Sequence, residues 1–457
     1  MIETGGEAWE YVATVRSAKD SPLTIYYESR DQKDAALYRL DPETAQLTEL
    51  LREHDDAWVN IDADMPRWTK DGGGFLWTSE RSGDRKLELR RTDGTLVREF
   101  ELKTKDGDSA RYGGFVAMFD QESLMIVKGG VSSIESHLFG LELDGTGCTD
   151  MSGAKGVFGA IFSKNGDTRV ITGSLANGKQ LQTLCRQDDH EVMELPSLAV
   201  DPTIMPNVEW TTVTIELRRH EVAILRPRDF KKGRKYPVIE SVYGGPGSSV
   251  VTTAARAYLR NQWMADQGFI VVQTDARGTP GRGRDWERAI SGNVIDIPLS
   301  EHADIVKALC AQYPEMDASR VGITGWSFGG YFSAMAVLKR PDVYKAAVAG
   351  APVTDWHDYD THYTERYMGM PDANAAGYKA CDASTYADQL SRPLLLIHGT
   401  TDDNVYFQHT LKLHDALFRA GKKHELLMLS GFTHMVPDPN VSMRLYERIV
   451  RFFKTEM

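Results

Sequence analysis

The chain has 457 residues, 41% of them hydrophobic and 26% charged, a balance that excludes a disordered or fibrous protein. Its 53 basic and 65 acidic side chains give a net charge of −12, which argues against a nucleic-acid partner; the basic run 231–235 reads as a solvated loop. No stretch approaches the ~18 consecutive apolar residues of a membrane helix, and Met1-Ile2-Glu3-Thr4-Gly5 lacks the basic start and apolar core of a signal peptide.

At roughly 150 residues per domain the length allows two or three domains. From about residue 20 to 200 short β runs alternate with polar turns. Leu23–Tyr27 and Ala36–Leu40 precede the turn Asp41-Pro42, and Phe75–Thr78 and Leu87–Leu89 precede Asp93-Gly94. Leu124–Val127 and Leu138–Leu141 precede Asp144-Gly145, and Val170–Gly173 and Leu181–Leu184 precede the turn Gln187-Asp188-Asp189. The matching positions Ile25, Leu76, Met125 and Val170 recur at intervals of 51, 49 and 45 residues. Strand-and-hairpin repeats of about 40–50 residues are those of propeller blades, which bury their faces only by stacking on neighbours. The repeat predicts a partial β-propeller of about four blades over 1–204; a sandwich with accidental spacing is the rival.

From about 235 the rhythm changes. Strands are predicted at 236–243, 269–274, 321–324, 346–350, 393–397 and 425–429, with helices near 252–267, 302–313, 328–339, 406–420 and 441–456. Apolar strands alternating with helices predict a doubly wound, mostly parallel sheet over 205–457, with its site at the carboxyl ends of the strands.

The strongest chemical signal is Gly325-Trp326-Ser327-Phe328-Gly329-Gly330. It places Gly-x-Ser-x-Gly directly after a strand and before a helix, the context of a nucleophile elbow in an α/β-hydrolase. A serine hydroxyl needs a base, and this fold orders the partners serine, acid, histidine. Asp402 follows one strand end and His434 the next, so Ser327 is the candidate nucleophile, His434 the base and Asp402 its orienting acid. Asp403 is an alternative acid. His398 lies near a strand interior and reads as a structural hydrogen-bonder, and His424 precedes its strand at the wrong sheet edge. The oxyanion donors expected are the backbone N–H of Phe328 and the loop after the first parallel strand, where Tyr243 can donate through its phenol or merely pack. No His-Glu-x-x-His occurs, and Gly278, Gly281 and Gly283 do not fit a dinucleotide loop, so neither a metal nor a cofactor is expected. Cys148, Cys185, Cys310 and Cys381 are too dispersed for a metal ribbon or disulfide scaffold, which points to a reducing compartment.

These segments resemble the prolyl oligopeptidase family, and within it the dipeptidyl peptidase IV branch. The residues that carry the resemblance are the Tyr243-Gly-Gly-Pro-Gly loop, Asp275-Ala-Arg-Gly, the elbow, Ala351-Pro-Val-Thr-Asp-Trp, Tyr363-Thr-Glu-Arg-Tyr-Met-Gly and His398-Gly-Thr-Thr-Asp-Asp-Asn-Val. The resemblance covers about 205–457 well, and the repeats in architecture alone. It implies a serine peptidase that cleaves peptides after proline or alanine and releases N-terminal dipeptides, with Tyr243 as the oxyanion tyrosine. It implies an apolar slot for a proline-like ring lined by Phe328, Val353, Trp356, Tyr359, Tyr363 and Val405, with Asn404 bonding the carbonyl of the preceding substrate residue. Phe328 stands where tyrosine is common. Relatives carry seven or eight blades, and the Glu-Glu pair that grips the substrate amine has no counterpart among the residues matched here. If Met1 is the true start the compartment is cytoplasmic; if a region precedes it, periplasmic or secreted. The resemblance further implies a homodimer through the hydrolase domain and its C-terminal helix. An esterase or acylaminoacyl hydrolase, and a catalytically silent interaction propeller, are the alternative functions.

Overall fold

The computed structural model describes residues 9–17, 21–119, 123–186 and 191–457. The N-terminal pentapeptide and the turn expected at Gln187-Asp188-Asp189 lie outside the described residues. The chain divides into two compact units, Met1–Pro202 with Thr252–Ala254 and Gly281–Arg288, and the remainder.

Among the described residues, the first unit holds four antiparallel meanders. The first comprises Tyr11–Arg16, Leu23–Glu28, Asp34–Leu40 and Leu47–His54; the second Arg67–Trp68, Gly74–Ser79, Lys86–Arg91 and Leu96–Phe100. The third runs from Leu102–Lys103 through Ser109–Phe119, Leu124–Gly130 and His137–Glu142 to Cys148–Asp150. The fourth comprises Gly156–Phe162, Thr168–Leu175, Gln180–Arg186 and Glu191–Glu194. The strand pairs read from the repeat are the inner strands of these sheets. One core runs through the first three sheets, with Tyr26, Leu37, Phe75, Trp77, Met125 and Phe139 buried together. A second joins the third and fourth through Ile126, Leu138, Phe158 and Leu175. Side-chain stacking between sheets, which no single sheet supplies alone, thus forms the core of this propeller-like region.

In the second unit an eight-stranded sheet forms from β1 (Val208–Ile215), β2 (Arg218–Leu225), β3 (Tyr236–Val242), β4 (Ile270–Thr274), β5 (Met316–Trp326), β6 (Ala346–Gly350), β7 (Leu394–Gly399) and β8 (Glu425–Leu429), in the order β1-β2-β4-β3-β5-β6-β7-β8. β1 and β2 pair antiparallel, β2 runs antiparallel to β4, and the rest are parallel. The helices are α1 (Leu259–Ala265), α2 (Asp296–Gln312), α3 (Phe328–Lys339), α4 (Thr361–Met368), α5 (Ala375–Cys381), α6 (Gln408–Arg419) and α7 (Pro439–Glu456). α3 is buried from Phe328 to Leu338, as befits a helix apolar on all sides. The mostly parallel α/β-hydrolase sheet expected from sequence is therefore present, with the β1–β2 hairpin as an addition. No helix among the described residues is long and apolar enough to cross a membrane, and the four cysteines are free thiols.

The sheet interior carries one carboxylate. Glu240 of β3 is fully buried, and its oxygens meet His302 Nδ1 at 2.6 Å and the Tyr344 hydroxyl at 2.7 Å. A buried carboxylate is tolerated only with such partners. Tyr344→Phe removes one donor and keeps the shape. It is expected to destabilise the protein by about 1–3 kcal/mol, read as a lower urea midpoint at unchanged m-value.

Candidate active site

β5 ends at Trp326, and the next residue, Ser327, has φ 60° and ψ −122°. This left-handed conformation is avoided by residues with a side chain and costs on the order of 1–3 kcal/mol. Three glycines make the turn geometrically possible. A Cβ on Gly325 would lie 2.4 Å from the Val242 carbonyl oxygen, one on Gly329 2.3 Å from the same atom, and one on Gly330 2.0 Å from the Gly350 oxygen. The turn is clamped on both sides: Ser327 N–H donates to Gly350 O at 2.9 Å, and Ser327 O accepts from Tyr331 N at 3.0 Å. The serine thus stands half-buried at the N-terminus of α3, whose dipole favours negative charge there.

The segments that follow β7 and β8 are laced together. Thr400 N–H donates to Leu429 O at 3.0 Å, Thr401 N–H to Phe432 O at 3.1 Å, and Gly431 N–H to Thr400 Oγ1 at 2.9 Å. Across this lacing His434 Nδ1 sits 2.8 Å from Asp402 Oδ2. The Trp326 indole N–H donates to His434 O at 2.8 Å, which fastens the histidine's backbone to the residue before Ser327. Asp402 is 5% exposed, and Asp403 is exposed. Asp402 Oδ1 accepts the N–H groups of Asn404 at 3.0 Å and Val405 at 2.9 Å. Burial alone raises the pKa of such a group; hydrogen bonds from His398, then His434 and the backbone, outweigh it and hold the carboxyl well below the usual range.

The remaining predicted residues form an aromatic cluster. Tyr243 follows β3, and its ring lies 6.0 Å from that of Phe328. Burial pushes the Tyr243 phenol up, and the neighbouring Tyr359 and Tyr367 add to the effect, so it stays a protonated donor. Trp356 and Tyr363 lie face to face at 6.1 Å and 16°, and Tyr359 stands edge-on to both, at 90° and 89°. Phe328 meets Trp356 at 5.5 Å, and Val353 and Val405 are buried. The Tyr359 hydroxyl donates to Asn404 Oδ1 at 3.1 Å, a contact that does not use the Asn404 amide N–H groups.

Two contributors escape sequence reasoning: Trp326 reaches His434 through its indole, and Tyr331 joins the cluster 5.3 Å from Trp356. His398, read from sequence as a structural hydrogen-bonder, is a buried one, and its Nε2 lies 3.2 Å from Asp402 Oδ2, a partner the sequence did not name. For His398 the available signal is its place four residues before the acid, at the end of a buried strand. Among the described residues no group of His, Cys, Asp and Glu could hold a metal ion.

Residues 256–457 match the family model of the prolyl oligopeptidase family, and residues 2–175 match that of the dipeptidyl peptidase IV N-terminal region. Dipeptidyl peptidase 8 of Mus musculus is 41% identical over 221 residues, 47% of this chain and 25% of that protein. A Schizosaccharomyces pombe protein named as a dipeptidyl aminopeptidase is 34% identical over 332 residues, 69% of this chain and 41% of that one. The crystal structure of Porphyromonas gingivalis dipeptidyl peptidase 4 is similar with a TM-score of 0.88 at 26% identity, covering 98% of this chain and 64% of that one. The match thus takes in between 25% and 41% of the length of these two curated relatives.

Gly330→Ala sets a Cβ against a backbone carbonyl that cannot yield. Gly421→Ala, at φ 66° with open space around it, meets torsional strain alone. The first is expected to cost more than the ~1–2 kcal/mol of the second, measured as the difference between their urea midpoints.

Proposed function

Because the chain belongs to the prolyl oligopeptidase family, in its dipeptidyl peptidase IV-like branch, we propose that it is a serine peptidase that hydrolyses short peptides after proline or alanine and releases N-terminal dipeptides. The observation that carries this reading is the 2.8 Å contact of His434 with Asp402, beside a strained Ser327 whose neighbour Trp326 holds His434 in place.

In this mechanism His434 Nε2 takes the Ser327 proton as Oγ bonds to the scissile carbonyl carbon. Asp402 holds Nδ1–H, fixing the tautomer and stabilising the imidazolium. The oxygen that gains the electron pair accepts hydrogen bonds from Phe328 N–H and the Tyr243 phenol. Collapse breaks the C–N bond, and the amine leaves with the proton from His434. Water then attacks the acyl carbon and gives its proton to the same nitrogen; the C–Oγ bond breaks, Ser327 Oγ takes that proton back from His434, and the acid is released. A pyrrolidine ring fits between flat aromatic walls because it is rigid and apolar. The Asn404 amide bonds the preceding carbonyl. The family resemblance also supports a homodimer through the α/β unit and α7, where Met443 is 47% exposed.

Ser327→Ala is expected to lower turnover of a Gly-Pro anilide by several powers of ten, and Tyr243→Phe to lower kcat about a hundred- to a thousandfold. Undiminished turnover by Ser327→Ala rejects the reading, and a preference for p-nitrophenyl esters over Xaa-Pro anilides moves it to an esterase. Sedimentation velocity is expected to give a dimer; a single species of monomer mass at micromolar protein discards the association.

A further inference from the structure

Asp402 is served by two imidazoles, and the mechanism uses one. His398 is fully buried at the end of β7, and its ring makes three polar contacts. Nε2 lies 2.8 Å from Val405 O and 3.2 Å from Asp402 Oδ2, and Nδ1 lies 2.7 Å from Thr410 Oγ1 of α6. A carbonyl oxygen only accepts, so Nε2 carries a proton, shared between Val405 O and the carboxylate. In the neutral ring Nδ1 then accepts the Thr410 hydroxyl. Phe407 packs on the ring at 5.6 Å, and Thr410 is fully buried. Rotation of the imidazole therefore strands buried polar atoms at both ends.

We infer that His398, locked by Thr410, is a positioning residue that holds the Asp402 carboxylate with Oδ2 aimed at His434. The inference rests on the serine-hydrolase reading and deepens it. Oδ1 is already anchored by two backbone N–H groups, whereas Oδ2 has, besides His434, the His398 imidazole as its second donor. That second donor acts in two ways. It fixes the torsion of the carboxylate, and it draws off part of the negative charge that otherwise falls on the His434 imidazolium. A ring serving only to tie β7 to α6 is satisfied by Val405 O and Thr410; the contact with the carboxylate is what a positioning role adds. The titratable groups around His398 are Asp402, His434 beyond that carboxylate, and the buried His409 of α6, whose Nδ1 accepts the Thr354 N–H at 3.2 Å.

The test is the rate at which a fluorophosphonate labels Ser327 as a function of pH, since labelling needs the activated nucleophile and no particular peptide. It uses the full chain with His398→Leu, His398→Gln and Thr410→Val. His398→Leu is expected to slow labelling about ten- to a hundredfold, as misplaced catalytic groups do, and to move the acid limb of the profile to higher pH. His398→Gln, whose amide can place an N–H near the Nε2 position, is expected to recover most of the rate. Thr410→Val is expected to give a smaller change of the same sign. On a Gly-Pro anilide the loss is expected in kcat, with KM changed less than about twofold. Wild-type rate and limb in a folded His398→Leu variant overturn the inference; if that variant does not fold, the same result for Thr410→Val overturns it. Absence of label on wild-type Ser327 is a different failure, visible before any His398 variant is made, and removes the serine-hydrolase reading and this inference together.

Discussion

The site depends on one backbone conformation. Ser327 at φ 60° and ψ −122° occupies a region that costs on the order of 1–3 kcal/mol, and nothing in its own side chain offsets that cost. The compensation comes from approach distances that only glycine permits. Gly325 and Gly329 bring the end of β3 onto the elbow, and Gly330 brings the end of β6 onto the first turn of α3. α3 is buried along almost its whole length, so the strain is held by packing that the sheet needs in any case. The serine is presented by the core itself, and its position is as rigid as the core.

Two buried carboxylates in this unit show how location turns one interaction into two roles. Glu240 and Asp402 each hold a histidine Nδ1, at 2.6 Å and 2.8 Å. Glu240 lies within β3, and the side chain of its partner His302 has no exposure. Asp402 lies beyond the end of β7, and His434 keeps 16% side-chain exposure. The first pair closes on itself with Tyr344. The second presents its imidazole at the carboxyl rim of the sheet, where an open α/β sheet takes its ligands. Burial without access makes a structural pair; burial of the acid with access to the base is what the proposed catalytic role requires.

The sequence made the inner strands of the repeats readable because they carry continuous apolar runs such as Phe75-Leu76-Trp77. The outer strands were not readable, because strands such as Leu96–Phe100 and Leu47–His54 interrupt their apolar residues with Arg98, Glu99, Thr48, Glu49 and Arg52, and their apolar residues do not sort by burial: Leu96 and Val97 are exposed. The hairpin β1–β2 escaped for a different reason. Its turn is Glu216-Leu217, both at positive φ, where the usual signal is Asn-Gly. Leu217, 99% exposed at the tip, even resembles a strand residue in sequence. At the candidate site, Ser327, Asp402 and His434 stood out because each follows an apolar strand at the same sheet edge. His398 was legible only as a structural hydrogen-bonder, because a histidine inside an apolar run gives no hint of which buried group it faces.

The aromatic cluster carries the clearest lesson about spacing. Trp356, Tyr359 and Tyr363 are separated by three and four residues, the interval that lines one face of a helix and ordinarily signals core. The chain is not one helix there. A single 3₁₀ turn covers Trp356–Asp358, Tyr359 is extended, and α4 begins only after Asp360, whose carboxylate accepts the Tyr363 N–H at 2.7 Å. Asp355 and Asp358 both bind Lys412 of α6, which holds the first turn apart from the second. A continuous helix would have laid three rings side by side as a buried stripe. The break turns Tyr359 perpendicular to two rings that remain face to face, and the same residues become the walls of a box. The box therefore follows from the Asp360 cap as much as from the aromatic residues, since the cap decides whether the aromatic spacing forms a core stripe or an open box, the geometry on which the proposed recognition of a proline-like ring rests.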